Sequence, residues 1–232
     1  MLYRDQQQSL VKQLTNEARK GVSIVPMQAD FRYDKKLCLT SVVFIPADLA
    51  KKIQRTIIES LRVVDPHHHY YEPGEMHLTI KNIRTIHDPP LFEDADIQKV
   101  DRIFTQIFPK HRSFSFFLEE VVLFPTSVSL IGYCDERLKH LVRDLDTGLK
   151  RIGIPDNKKY ISDSVFFGNI TLCRLVRPPS SAFQRRLEEL SCNSIASIDV
   201  KEIHLVVCNS VCARDSQRIV NSYKLGSLSG ES

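Results

Sequence analysis

Met76-His77-Leu78-Thr79-Ile80-Lys81-Asn82-Ile83 alternates polar and apolar side chains with the period of two that marks a half-buried β-strand. As a regular strand it sets His77, Thr79 and Lys81 on one face and Leu78, Ile80 and Asn82 on the other. An imidazole, a hydroxyl and an ammonium then share one wall. The layout returns in Val165-Phe166-Phe167-Gly168-Asn169-Ile170-Thr171-Leu172-Cys173-Arg174, where Asn169 and Thr171 stand 92 positions after His77 and Thr79. A second histidine at 169 would make the pattern His-x-Thr twice.

The flanking sequence repeats as well. Leu37 to Ile45 is rich in β-formers and stops at Pro46, which predicts a central strand. A helix follows from Asp48, with Leu49, Ile53, Ile57 and Leu61 at helical spacing, until Asp65-Pro66. His67-His68-His69-Tyr70-Tyr71-Glu72-Pro73-Gly74-Glu75 then reads as a solvated polar loop at the mouth of a cleft. Adjacent histidines rarely converge on one ion, so no metal is expected there. In the second half come a helix over Asp94 to Phe108, strands over Phe114 to Phe124 and Val128 to Tyr133, and a helix opened by Asp135 that ends near Gly153. The polar loop Asp156 to Lys159 precedes the Asn169 strand as the histidine loop precedes the His77 strand. Ser180 caps a short helix, Val200 to Val207 is a strand, and Arg218 to Leu225 adds a last one. A separation of 92 residues is too long for a solenoid repeat and suits two similar lobes facing across a cleft.

Composition sets the outer bounds. A chain of 232 residues with 42% hydrophobic and 26% charged residues is long enough to bury roughly 70% or more of its unfolded surface. A net charge of +4 tolerates an anionic ligand without demanding a polyanion. The six cysteines are scattered and form no Cys-x-x-Cys pair, so they read as reduced thiols. With no apolar leader and no run long enough to span a bilayer, the expected location is the cytoplasm, with no membrane partner. Residues 1–36 read as a helical extension, 37–225 as a single bilobal domain and 226–232 as a flexible tail.

From about Leu37 to Leu225 the sequence resembles the 2H phosphoesterase superfamily, which comprises RNA 2′,3′-cyclic phosphodiesterases and so-called 2′-5′ RNA ligases. The resemblance rests on His77-Leu78-Thr79-Ile80, the strand pair around Phe124-Pro125, the helix after Asp135, and Asn169-Ile170-Thr171-Leu172-Cys173-Arg174. It implies an α+β fold: a bilobal duplicated α/β arrangement with two antiparallel sheets facing a central cleft. It also implies a monomeric hydrolase that needs neither metal nor other cofactor and takes a nucleotide or RNA end with a 2′,3′-cyclic phosphate. In such a groove one histidine activates water and the other protonates the departing oxygen, tasks suited to an imidazole pKa near neutrality.

Carried onto this chain, His77 takes the first histidine role, and Thr79 and Thr171 donate to phosphoryl oxygens. Asn169 occupies the second histidine position, where a carboxamide hydrogen-bonds but exchanges no proton near neutral pH. The implied outcome is hydrolysis weakened at Asn169, or phosphate binding without turnover, or a scaffold with a relic cleft. Lys81, on the His77 face, is expected to neutralise phosphate charge, and Tyr133, with Tyr70 and Tyr71, either to stack on a base or to pack. Arg174 is out of phase and expected behind the groove unless the strand bulges. His204 is a second proton carrier only if its face opens to the cleft.

Overall fold

The computed structural model describes residues 2–20, 31–158, 160–190 and 195–226. The strands are β1 (Leu37–Phe44), β2 (His69–Tyr70), β3 (His77–His87), β4 (Phe114–Phe124), β5 (Ser127–Tyr133), β6 (Gly168–Arg174), β7 (Ala196–Val200), β8 (Glu202–Cys208) and β9 (Arg218–Lys224). The helices are α1 (Tyr3–Lys20), α2 (Ala47–Ile53), α3 (Glu59–Val64), α4 (Asp94–Ile107), α5 (Arg137–Arg151) and α6 (Ser181–Leu190), with a π turn (Gln54–Ile58) making α2 and α3 one rod. All pairings between these strands are antiparallel, in the order β7-β4-β5-β6-β3-β1-β8-β9, with β2 on β6. Two half-sheets thus meet at a seam where β3 touches β6 through the single register pair Leu78↔Ile170.

The element boundaries follow local chemistry. Helix α4 begins with a capping box in which the Glu93 and Asp96 side chains each accept the other's backbone N–H. Ser180 Oγ accepts the Phe183 N–H at 3.2 Å and starts α6. Gly153, at φ 75°, closes α5 in the left-handed conformation that glycine adopts without strain. One expected strand is two. Val200 to Val207 breaks at Lys201, where the chain crosses between half-sheets: β7 pairs with β4, and β8 lies between β1 and β9. The apolar pattern runs on through the break, so hydropathy does not mark it. Of the tail expected over 226–232, the residues from 227 onward lie outside the described residues.

Helices α2 to α6 cover one face of the sheet and enclose the main core, which includes Leu78, Ile170, Phe104, Phe116, Leu141 and Phe183. Full burial of a Leu, Ile or Phe stabilises by roughly 1.5–3 kcal/mol, and Leu78 and Ile170 are both fully buried at the seam. Close packing there needs Gly168, because a Cβ on it would come 2.8 Å from Leu78 and Phe116 side-chain carbons. The other face curls into a half-barrel with two small clusters. Val11 of α1 covers Val122, Ile131 and Tyr133 on one half, and Val42, Val206, Cys208 and Cys212 pack on the other. A cavity opens between them.

Candidate active site at the seam

The antiparallel pair Leu78↔Ile170 fixes the site, because it sets His77 beside Thr171 and Thr79 beside Asn169. All four residues line one cavity of about 670 Å³, with Asn82, Lys158 and Arg174 also in its wall. The repeat that the sequence displays along its length is therefore folded onto itself across one seam.

Two bulges decide what else faces the cavity. On β3 the register runs Val42↔Thr79 and then Ser41↔Lys81, so Ile80 is an extra residue and the alternation flips. Lys81 swings out of the expected wall and Asn82 takes its place. On β6 the register runs Ser129↔Thr171 and then Val128↔Cys173, so Leu172 is extra and Arg174 turns into the cavity. The duplication survives both bulges, since Asn82 and Arg174 are again 92 residues apart.

Lys81 serves a structural purpose instead. It is 2% exposed, its ammonium donates to Asp146 of α5 at 2.8 Å, and it also contacts Asp156. Burial pushes its pKa down, but the two carboxylates outweigh that and the net shift is upward. Tyr133 is also displaced from the expected role. It is 1% exposed beneath α1, with Arg4 over its ring and its hydroxyl donated to Glu120, so no base can stack on it. Tyr71 does line the cavity, where its hydroxyl accepts from Arg174 Nε at 3.0 Å, whereas the Tyr70 hydroxyl is buried against the Asp65 carbonyl at 2.5 Å.

Of the histidine loop only His67 is exposed; the rest is buried or half-buried. His68 is buried, 3.6 Å from Asp65 and edge-on to Phe183 of α6, and His69 packs on Phe31 and Tyr71. Asp65 also accepts from Arg177 at 2.7 Å, and this cluster ties the loop to the segment after β6. His204 lies against Phe44 and accepts from, or donates to, Ser222 at 2.7 Å on β9, away from the cavity wall.

His77 has a defined hydrogen-bonding frame. Its Nδ1 lies 2.7 Å from the Glu75 carbonyl, and a carbonyl only accepts, so Nδ1 carries a proton and Nε2 is the titrating atom. Burial lowers the imidazole pKa, but the Cys212 thiol hydrogen-bonded to the ring, the Glu75 carbonyl and Cys38 outweigh it, and the net shift is upward from 6.5. Cys212 moves oppositely, to about 5, held there by Cys208 and His77 against the effect of burial. Lys158 brings a second cation to the cavity. It sits with its ammonium 5.6 Å from the Tyr160 ring centroid, and burial holds its pKa below the ordinary lysine value.

Asn82, Lys158, Arg174 and Cys212 line the cavity although the sequence did not place them there. The signal for Lys158 was present, because its loop occupies the place in the second half that the histidine loop occupies in the first. For Arg174 the signal was hidden by the bulge, and for Cys212 by its position in a later, unrepeated loop. Among the described residues, no helix is long and apolar enough to cross a membrane.

No family model matches the sequence, and no curated protein matches it at a significant level. Solved structures do match. Escherichia coli LigT in apo form superposes with a TM-score of 0.58 at 15% identity, covering 83% of this chain and 99% of that one. LigT complexed with 3′-AMP does so with a TM-score of 0.58 at 17% identity, covering 82% and 99%. A crystal structure described as a phosphoesterase gives 0.58 at 15% identity, covering 82% and 98%. At these identities the likeness is one of architecture, and the chain has the mixed α/β, curled antiparallel fold of the LigT-type phosphoesterases.

Proposed function

We propose that the cavity binds the phosphoryl group of a nucleotide or RNA end bearing a 2′,3′-cyclic phosphate and opens the ring slowly by acid/base chemistry. The observation that carries this reading is the convergence of His77, Thr79, Asn169 and Thr171 on one cavity wall that also holds Lys158 and Arg174. Two hydroxyls, a carboxamide and two cations suit an anion with several oxygens. The 3′-AMP and ATP complexes of LigT, an architectural relative, support a nucleotide as the ligand.

In this reading Nε2 of His77 is the one group that moves a proton. Thr79 and Thr171 donate to the equatorial phosphoryl oxygens, and Asn169 donates an amide N–H without exchanging its proton. Absence of one acid/base partner lowers the rate on the order of 10²–10⁴-fold, which is the basis for slow turnover. Asn169 also favours a second reading, a binder of nucleotide or RNA-end phosphate that performs no chemistry.

Incubation with each 2′,3′-cyclic mononucleotide, followed by separation of the monophosphate products, tests the proposal. Turnover by the wild type that His77→Ala abolishes supports hydrolysis. Binding by calorimetry without turnover supports the binder. Neither binding nor turnover overturns both.

A further inference from the structure

Three thiols stand beside His77 in the cavity wall that the proposed chemistry does not use. Cys38 and Cys208 face one another across β1 and β8 as a register pair, their sulfurs 3.6 Å apart, and Cys212 follows in the loop after β8. All three line the His77 cavity. Cys38 is partly exposed there, whereas Cys208 and Cys212 are almost fully covered.

We propose that Cys38 and Cys208 form a peroxide-sensitive dithiol that closes to a disulfide in the wall of the site. Residues directly opposite on antiparallel strands have Cα atoms about 4.5–5.5 Å apart, inside the range of about 4.4–6.8 Å that disulfides span. The backbone therefore already has the required spacing. The sulfurs, 3.6 Å apart, need to approach by only about 1.5 Å to bond, a shift within reach of side-chain rotation.

The chemistry balances with hydrogen peroxide as the oxidant. The Cys38 thiolate attacks one peroxide oxygen, the O–O bond breaks, and the departing hydroxide takes a proton to leave as water, giving a sulfenic acid. The Cys208 sulfur then attacks the sulfenic sulfur and its proton leaves with the expelled hydroxide as a second water. Two thiols lose two electrons, and one peroxide becomes two waters. Partial exposure makes Cys38 the attacking group, and its pKa is lowered, mainly by the hydrogen bond with Cys208.

The loop that follows links this pair to His77. The Asn209 side-chain oxygen accepts the N–H groups of Val211 at 3.3 Å and Ala213 at 3.0 Å, holding Cys212 between them at φ 54°. That left-handed conformation is uncommon outside glycine and fixes the Cys212 thiol against the imidazole. A disulfide turns the Cys208 sulfur toward Cys38 and away from Cys212, removing the Cys208 hydrogen bond from the Cys212 thiol beside His77.

Native full-length protein treated with peroxide, blocked with iodoacetamide and digested with trypsin gives the test. Cys38 falls in the peptide Leu37 to Lys51, and Cys208 and Cys212 share the peptide Glu202 to Arg214. The expected product is a cross-link between these two peptides that dithiothreitol reverses and that Cys38→Ser and Cys208→Ser each remove. Full alkylation of Cys38 after treatment would overturn the proposal, and so would a disulfide confined to the Glu202 to Arg214 peptide. Because the readout is a mass and not turnover, it stands or falls separately from the phosphodiesterase reading.

Discussion

Changing Asn169 to histidine should convert a slow or silent site into an active one. The seam pair Leu78↔Ile170 makes His77 and residue 169 diagonal neighbours across an antiparallel pair, with backbones about 7–8 Å apart. Imidazoles projecting from both positions into the cavity of about 670 Å³ leave room for a phosphoryl group between them, one for each side of the displacement. A positioned acid/base group contributes typically 10²–10⁴-fold, equivalent to about 2.7–5.4 kcal/mol of barrier. A single-turnover assay on a 2′,3′-cyclic mononucleotide, comparing wild type, Asn169→His and Asn169→His/His77→Ala, measures the gain. The expected result is an increase of about 10²-fold or more that disappears in the double variant. A folded Asn169→His protein that still binds the nucleotide but turns over no faster would refute the reasoning, because it would mean that the two strands do not flank the reacting bond.

Further outcomes follow from the same geometry. Lys81→Met should destabilise the fold by about 3–5 kcal/mol, since it leaves the Asp156 and Asp146 carboxylates without their buried cation; urea denaturation measures this. Gly168→Ala should lose about 1–3 kcal/mol through the 2.8 Å approach to Leu78 and Phe116, and calorimetry should show weaker phosphate binding along with it. By proton NMR the His77 ring should titrate above 6.5, and in Cys212→Ser its midpoint should fall as the thiolate partner is lost. Because the folded value is raised, the stability that His77 contributes is complete below pH 6.5 and disappears as pH rises through the folded value. Phosphate affinity should weaken over the same upward range as the imidazolium is neutralised. Lys158→Ala should weaken phosphate binding, with a shallower dependence on salt than wild type, whereas Tyr133→Phe should leave binding unchanged because its ring is sealed under α1.

The sequence is most legible where local chemistry acts alone. The periodicity of Asp94 to Phe108 and the proline after Ile45 mark a helix and a strand that the fold contains. The repeated strand motif is legible too, because His77, Thr79, Asn169 and Thr171 lie before either bulge and keep regular alternation. Lys81 and Arg174 lie beyond the bulges, and a single inserted residue reverses facing without altering composition. Tyr133 follows regular alternation, yet α1 covers it, and which helix lies over which strand is a tertiary fact absent from local pattern. The Cys38, Cys208 and Cys212 cluster is likewise non-local, since strand pairing brings positions 38 and 208 together across 170 residues.

A crystal structure of the chain soaked with 2′-AMP or 3′-AMP tests most directly whether the two motif strands build one phosphate site. The account predicts a phosphate held by His77 Nε2, the Thr79 and Thr171 hydroxyls and the Asn169 amide together. A phosphate bound elsewhere, for example on the exposed lysines of α2, with these four side chains untouched, would contradict it.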